Sequence, residues 1–184
     1  MKIDEGMTFK ICCEVSKKVE LDPCLLFAIV EVESNRRPEI ISKSNAVGMM
    51  QIKKIAMEEV NRFYDKNFVQ NDLKDPALNI LIGGLYLKRW EITYTQRGFP
   101  QFVAIWFAIL TYAWGWGNVQ KWLSGVDCNA WIKSNVPQDK MEYNENVLWW
   151  FEYAKRKFTL ESQKNNDSSK PAPKAISNEL NSGA

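Results

Sequence analysis

Asp-Pro pairs ahead of long apolar segments constrain the fold of this chain more than any other feature of its sequence. Asp22 precedes Pro23, and Asp75 precedes Pro76. This order is a helix-start signal, because an N-cap carboxylate accepts hydrogen bonds from free backbone N–H groups and proline is preorganised for the first turn. Pro137, followed by two polar residues, gives a third signal. It predicts a last helix that ends at about residue 158.

The rest of the chain also has helical patterns. No segment shows a sustained alternation of apolar and polar residues, which a half-buried strand requires. Periodicity predicts helices at 8–19, 55–64 and 101–113, and short helices carrying Trp122 and Trp131 after the break at Gly115 and Gly117. Residues 34–47 are loop-like. We therefore expect an all-α fold.

The composition indicates one globular core. The chain has 184 residues, 46% of them hydrophobic and eight of them tryptophan, with 24 Lys and Arg against 22 Asp and Glu. Such a chain is too apolar to be a disordered scaffold, and its charge is too balanced for nucleic-acid binding. From residue 161 onward it has no aromatic residue and is rich in Ser, Asn, Lys and Pro. We predict a monomeric domain at 1–160 and a flexible tail at 161–184.

The chain contains no histidine. This excludes Ser/His/Asp and Cys/His triads, HExxH zinc sites and histidine general bases. The cysteines, Cys12, Cys13, Cys24 and Cys128, match no zinc-binding spacing. We interpret them as buried free thiols, and a disulfide from the Cys12/Cys13 pair to Cys24 or Cys128 remains open.

The amino terminus and the longest apolar stretch bear on localisation. Residues 1–22 are charged throughout and contain no apolar run that could serve as a signal-peptide core, so we expect no export by the usual route. The apolar stretch 102–116 is interrupted by Thr111 and Gly115. It falls short of the roughly 20 residues that a spanning helix needs, which favours a buried core helix.

The segment that follows Pro23 places a carboxylate among aliphatic side chains. At 100° per residue, Glu33 falls on the apolar face of this helix, whereas Glu31 points to the opposite side and is expected to be solvated. Desolvation should raise the pKa of Glu33 toward roughly 6, which would make it a proton donor near neutral pH. The alternative is a structural ion pair between Glu33 and a nearby cation: Arg36, Arg37 or Lys43.

The segment 76–90 is apolar nearly all round, which indicates a central helix. Asn79, Gly83 and Tyr86 share one stripe of it, and Gly83 with Gly84 would let another helix approach closely. For Asn79 we prefer a buried amide bonded to a neighbouring loop over a ligand-binding residue.

Residues 33–52, ESNRRPEIISKSNAVGMMQI, follow the pattern ES, NP, Ser, GA and GLMQI in order and spacing. The matching positions are Glu33, Ser34, Pro38, Ser42, Ala46, Gly48, Met50, Gln51 and Ile52. Two later blocks, around Asn79 and around Tyr112, are similar to NIxxGxxYL and AxAAYNAGPGxV. Over residues 21–153 the chain thus resembles the soluble lytic transglycosylase (SLT) domain of the goose-lysozyme-like superfamily.

The chain departs from this pattern at several positions. Around the first block, Arg37, Asn45 and Met49 stand where the family has Asn, Gly and Leu. After Tyr112, the family's Asn and Ala are replaced by Ala113 and Trp114. When Glu142 is aligned with the glutamate of the family's ETRxYV block, Asn146 occupies the tyrosine position.

The resemblance implies a lysozyme-like fold and cleavage of the β-1,4 bond between N-acetylmuramic acid and N-acetylglucosamine in peptidoglycan, with 1,6-anhydro ends. Ordinary glycosidases need two carboxylates. One suffices here, because the C6 hydroxyl of the muramic acid can attack its own anomeric carbon at a high effective concentration. Glu33 would act first as acid and then as base, and neither metal nor cofactor is required.

The resemblance also implies a set of substrate-binding residues. Ser42, Met50 and Gln51 would line the glycan groove near Glu33, although core packing is an equal alternative for Met50. Glu142 would lie on the far side of the cleft. Tyr112 is expected to face the N-acetyl carbonyl, and we expect at least one of Trp114 and Trp116 to stack on a saccharide.

Two other functions remain as alternatives. A goose-type lysozyme, a hydrolase, would need a second carboxylate to position water, for which Asp65, Asp72 and Asp75 are candidates. A catalytically weak glycan-binding or structural protein is indicated by Ala113 and Asn146. For the biological setting, we expect action on the cell wall, either as a phage-encoded lysis enzyme or as a non-classically exported bacterial enzyme working with a secretion apparatus.

Overall fold

The structure, a computed structural model, describes residues 1–124 and 136–168, with side chains through residue 160. Seven α-helices and one 3₁₀ helix make up this part of the chain. They are α1 (Glu5–Val19), α2 (Pro23–Ser34), α3 (Lys54–Tyr64), the 3₁₀ helix (Gln70–Lys74), α4 (Pro76–Gln96), α5 (Gln101–Trp114), α6 (Trp116–Ser124) and α7 (Gln138–Ser168). Within these ranges, β-type pairing is limited to two isolated bridges in the loop after α2. The predicted all-α fold is confirmed.

Both Asp-Pro helix starts are confirmed by their capping hydrogen bonds. The Asp22 carboxylate accepts from the N–H of Cys24 at 2.8 Å, and Asp75 accepts from the N–H of Leu78 at 2.8 Å. These bonds satisfy backbone donors that a helix leaves free in its first turn. At its other end α2 stops at Asn35, whose φ of 50° is left-handed and turns the chain into the following loop.

Helix α2 is the centre of the fold. Its residues 24–31 are all buried, and α1, α4 and α7 pack around it. Phe27 of α2 makes edge-to-face contacts with Phe9 of α1 and Phe158 of α7, with ring centroids 6.0 and 5.4 Å apart. Because α2 is covered on several sides, neither of its two glutamates lies on a fully solvated face.

Helix α4 packs closely on its neighbours at two glycines. A Cβ at Gly84 would lie 3.2 Å from Leu26 of α2, as expected for a close helix contact. A Cβ at Gly83 would lie 2.5 Å from the sulfur of Met50. Gly83 is therefore approached by the turn that carries Met50, and not by another helix as the sequence predicts.

The apolar stretch at 102–116 forms α5 and the start of α6. Residues 107–111 of α5 are all buried, which confirms the predicted core helix. Across the described residues, no helix combines the length and the apolar character needed to cross a membrane.

Helix α7 extends past its predicted end at about residue 158 and runs to Ser168. The reason is local, since the sequence has neither glycine nor proline between residues 138 and 170. The first residues of the predicted tail thus continue α7, and 169–184 lie outside the described residues. The predicted helix at Trp131 and the thiol of Cys128 also lie outside them.

Candidate active site

Glu33 lies in the last turn of α2 and borders a cleft of about 400 Å³. The loop after α2, the start of α3, α4 and the end of α5 supply the other walls. The polar and aromatic lining residues are Ser42, Ser44, Gln51, Lys53, Tyr86, Tyr112 and Trp114. Among the described residues that line the cleft, Glu33 is the one carboxylate and Lys53 the one cation.

The surroundings of Glu33 favour its protonated form. Burial raises its pKa from 4.5 to about 7, against the opposing effects of a hydrogen bond from Tyr143 and the positive charges of Lys140 and Lys53. Desolvation dominates because little water remains to solvate the anion. The predicted rise in pKa is present in the structure, and a carboxyl with this pKa can exchange a proton near neutral pH.

Tyr143 of α7 is the closest polar partner of Glu33, and sequence reasoning missed it. Its buried hydroxyl donates a hydrogen bond of 2.6 Å to Oε1 of Glu33. Tyr143 lies three residues before Asn146, where the resemblance places a tyrosine, so both positions share one helix face a turn apart. A search for tyrosines within one turn of Asn146 would have found it.

Glu31 differs from its expected state. It is 6% exposed, and its Oε1 lies 3.1 Å from Nε of Arg36, which also contacts Glu5 at 2.9 Å. The expectation that Glu31 is solvated is wrong, because α1 and the residues before it cover this side of α2. The ion-pair alternative for Glu33 also fails: among the described residues none of Arg36, Arg37 and Lys43 pairs with it. Arg36 contacts Glu31 instead, and Nε of Arg37 donates to the carbonyl oxygen of Ser34.

Asn79 of α4 holds the turn that forms the floor of the cleft. Its amide donates to the carbonyl oxygens of Val47 and Leu73, each at 2.8 Å, and its Oδ1 accepts from the N–H of Met50 at 2.8 Å. All these groups are buried, so their hydrogen bonds are strongly required. The interpretation of Asn79 as a buried amide bonded to a loop agrees with this geometry.

Two predicted binding residues, Ser42 and Gln51, line the cleft. The Ser42 hydroxyl accepts from the N–H of Ala46 at 3.0 Å and lies 3.1 Å from the hydroxyl of Ser44. The Gln51 amide nitrogen donates to the carbonyl oxygens of Ile40 and Gly48 at 3.1 and 2.9 Å. Both side chains therefore also fix the loop, and the Gln51 carbonyl is the group left to face a ligand.

Met50 takes the core position that the sequence left as an equal alternative, and the hydroxyl of Tyr112 is placed differently from expectation. The side chain of Met50 is 0% exposed and packs on Gly83, so it lies in the core and not in the groove. The Tyr112 ring lines the cleft, but its hydroxyl donates to the carbonyl oxygen of Met50 at 2.5 Å. In this arrangement the hydroxyl supports the turn, and an N-acetyl group would have to displace it from Met50.

The two tryptophans after Tyr112 have different surroundings. Trp114 lines the same cleft as Glu33. Trp116 stacks on Trp90 at 4.4 Å between ring centroids and carries the guanidinium of Arg97 on its ring at 4.6 Å. Trp116 is not among the cleft-lining residues, so of the two tryptophans only Trp114 borders the cleft.

Glu142 does not reach the cleft. It is exposed on α7 and accepts a hydrogen bond of 3.0 Å from Gln138, one turn earlier. The helix directs Glu142 and Tyr143 about 100° apart, so only the second faces Glu33.

No second carboxylate for positioning water is present among the described cleft residues. The Asp75 carboxylate caps α4, and the Asp72 carboxylate accepts a hydrogen bond from the N–H of Val69, so each of them binds a backbone N–H group. Asp65 ends α3 in a left-handed conformation. None of the three carboxylates lines the cleft.

The described cysteines are free and form no metal site. Cys12 and Cys24 are buried, and burial raises the pKa of Cys24 to about 12, so its thiol stays protonated. Within the described residues, no three Cys, Asp or Glu side chains are grouped in a way that could hold a metal ion.

Comparisons with known proteins bear on the family of this chain. Endo-type membrane-bound lytic murein transglycosylase A of Enterobacter sp. (strain 638) is 32% identical over 130 residues, which are 69% of this chain and 64% of that protein. The matches cover 24%, 36% and 64% of the length of three such curated relatives.

Solved structures share the fold. The lytic transglycosylase Slt of Pseudomonas aeruginosa matches with a TM-score of 0.69 and 22% identity, over 82% of this chain and 24% of that one. The 70 kDa soluble lytic transglycosylase of Escherichia coli matches with a TM-score of 0.67 and 25% identity, over 81% of this chain and 24% of that one. Residues 11–133, which carry Glu33 and most of the cleft, match the model of the transglycosylase SLT domain. The chain therefore belongs to the transglycosylase SLT domain family.

Proposed function

We propose that this chain is a peptidoglycan lytic transglycosylase that cleaves the β-1,4 bond between N-acetylmuramic acid and N-acetylglucosamine and leaves 1,6-anhydro ends. One observation carries the proposal. Glu33 is the single carboxylate among the described residues of the cleft, and burial raises its pKa to about 7. A lone acid with this pKa suits a reaction in which the substrate supplies its own nucleophile.

The proposed reaction has two proton transfers through Glu33. In the first, protonated Glu33 gives its proton to the glycosidic oxygen, the bond from that oxygen to the muramic acid C1 breaks, and positive charge develops at C1. In the second, the C6 hydroxyl attacks C1 and gives its proton to the Glu33 carboxylate. One C–O bond breaks and one forms, no water is consumed, and Glu33 returns to its starting state.

Tyr143 would orient Glu33 for these transfers. Its hydroxyl donates to Oε1, so the transferable proton of the neutral acid belongs on Oε2. When Glu33 becomes a carboxylate, the same bond becomes charge-assisted and stabilises the anion. Tyr143 therefore supports both halves of the reaction without itself losing a proton, since burial raises its pKa well above the usual range.

The glycan strand would bind along the cleft on Ser42, Gln51 and Trp114. Trp114 offers an aromatic face to a sugar ring, and Gln51 and Ser42 offer polar atoms to hydroxyl and amide groups. The Enterobacter relative is a lytic murein transglycosylase, and this chain would act on the same polymer in the cell wall. We also propose that it works with the proteins of a lysis or secretion system, which the gene neighbourhood would test.

Mass spectrometry of the soluble products from peptidoglycan sacculi tests the proposal. We expect muropeptides one water lighter than hydrolysis products and resistant to borohydride, with Glu33→Gln as the inactive control. Reducible ends would mean that water attacks and would favour the hydrolase alternative. No release from sacculi by the native protein would favour a glycan-binding role.

A further inference from the structure

Lys53 is the one positive charge on the described lining of the cleft. It is exposed, and it makes no ion pair with a described residue. Its neighbour Lys54 does not line the cleft and pairs with Glu58 at 3.5 Å along α3. The two adjacent lysines therefore have the same charge but different surroundings.

Neither the helix nor the acid benefits from a cation at this position. Lys53 is the N-cap of α3, where its side chain makes no capping hydrogen bond and its charge opposes the helix dipole. It also favours the ionised form of Glu33, which counteracts the effect of burial on the proton donor. Lys53 thus stabilises neither the start of α3 nor the protonated form of Glu33, which indicates that its charge serves to bind a ligand.

A second lysine acts on Glu33 from α7, but it already has a carboxylate partner. Lys140 contributes positive charge at Glu33, yet its ammonium lies 2.8 Å from the carboxylate of Asp139. Lys53 has no such partner among the described residues. When Glu33 is protonated, the described lining of the cleft thus carries one net positive charge, located at Lys53.

We propose that Lys53 binds a carboxylate of the substrate beside the bond that is cut. This inference rests on the proposed function, because of the two sugars joined by that bond only the muramic acid carries carboxylates. They belong to the peptide attached to the lactyl group, or to the lactyl group itself where the peptide has been removed. A flexible ammonium group suits either one, since it binds as a point charge without fixed geometry.

The test measures binding in the Glu33→Gln background, so that the ligand is not consumed. Three glycan ligands of equal length are compared by calorimetry: peptide-bearing strands, strands stripped of peptide, and N-acetylglucosamine oligomers without carboxylates. Adding Lys53→Met should weaken binding about threefold to tenfold at low salt for a carboxylate-bearing ligand. It should leave the N-acetylglucosamine oligomers unaffected, and the difference should vanish at about 1 M salt.

The matched control is Lys54→Met, which removes the same charge one residue away and should bind all three ligands like the parent. A loss confined to peptide-bearing strands assigns the carboxylate to the peptide, and a loss confined to stripped strands assigns it to the lactyl group. Equal losses for all three ligands, equal losses in the Lys54 variant, or no loss at all would overturn the proposal.

Kinetics with Glu33 intact separate this inference from the proposed function. Lys53→Met should raise KM with little change in kcat, and Lys53→Arg should restore most of the affinity. If the native protein releases no anhydro products, the proposed function fails, while the binding comparison still decides the role of Lys53.

Discussion

The two glutamates at the end of α2 are two residues apart, and the fold treats them in opposite ways. Glu31 faces a buried guanidinium, with Arg36 held between it and Glu5. Glu33 faces a cleft and accepts its hydrogen bond from a neutral phenol, Tyr143. Burial raises the pKa of both carboxyls, but only Glu31 has a cation in direct contact.

This difference shows what separates a structural carboxylate from a reactive one. A directly contacting cation stabilises the anion and fixes it in one place, whereas a neutral donor leaves the two protonation states close in free energy. The side of α2 that bears Glu31 joins α1 to the loop after α2 through Arg36. The other side leaves Glu33 able to exchange a proton with a ligand.

Removing each of the two carboxyls in turn by mutation gives the largest expected effect. Glu33→Gln should lower the rate of product release from sacculi about 10³-fold or more, because it removes the group that both donates and accepts the proton. Glu31→Gln should retain most of the activity when assayed below its melting temperature, since Glu31 does not line the cleft. Comparable losses in both variants would contradict the distinction.

Breaking the ion pair should instead affect stability. Arg36→Met leaves Glu31 buried without its cation, and we expect the free energy of unfolding in urea to fall by about 3 kcal/mol. Arg37→Met is the matched control, because Arg37 is exposed and should lose less than about 1 kcal/mol. If Arg36→Met is as stable as the native chain, the buried network does not hold the end of α2.

The sequence predicts those parts of this comparison that depend on local pattern. Helix starts follow from N-cap chemistry, as at Asp22, and the side on which Glu33 lies follows from the 100° periodicity of one helix. The motif spacing after α2 also indicates which loop borders the cleft. Each of these features lies within about twenty consecutive residues.

At Glu31, Met50 and Tyr143 the local pattern fails or leaves the placement open, because the partners are distant in sequence. Glu31 is covered by residues of the amino terminus, so a helical wheel that assumes one solvated face misplaces it. Met50 is drawn into the core because Gly83 leaves room for its sulfur. Tyr143 reaches Glu33 across 110 positions of sequence, which no local pattern contains.

The pH dependence of stability provides a third test. In the folded protein the pKa of Glu33 is raised from 4.5 to about 7. The contribution of Glu33 to the free energy of unfolding is therefore fully present below about pH 4.5 and is lost as the pH rises through about 7. Glu33→Gln does not ionise and avoids this loss. Relative to the native chain it should therefore be about 2 kcal/mol more stable at about pH 8, with little difference at about pH 4.

Urea unfolding at the two pH values measures this difference directly. Glu145→Gln is the control for removing a charge, because Glu145 is exposed on α7 and should change stability little at either pH. A Glu33→Gln variant that is less stable than the native chain at the higher pH would mean that the fold stabilises the ionised carboxylate of Glu33, which would contradict the raised pKa.

The smallest expected effect comes from the neutral donor. The hydrogen bond from Tyr143 lowers the pKa of Glu33, so Tyr143→Phe should move the alkaline limb of kcat/KM upward by about 0.5 to 1 pH unit. The rate on the plateau should fall about tenfold, because the proton is no longer confined to Oε2. Tyr153→Phe, which removes a hydroxyl that does not contact Glu33, should change neither quantity.

Adding Asn146→Tyr to Tyr143→Phe places a phenol one turn further along the same face and should restore part of the rate. If the alkaline limb stays in place in Tyr143→Phe, the group that titrates in the reaction is not Glu33.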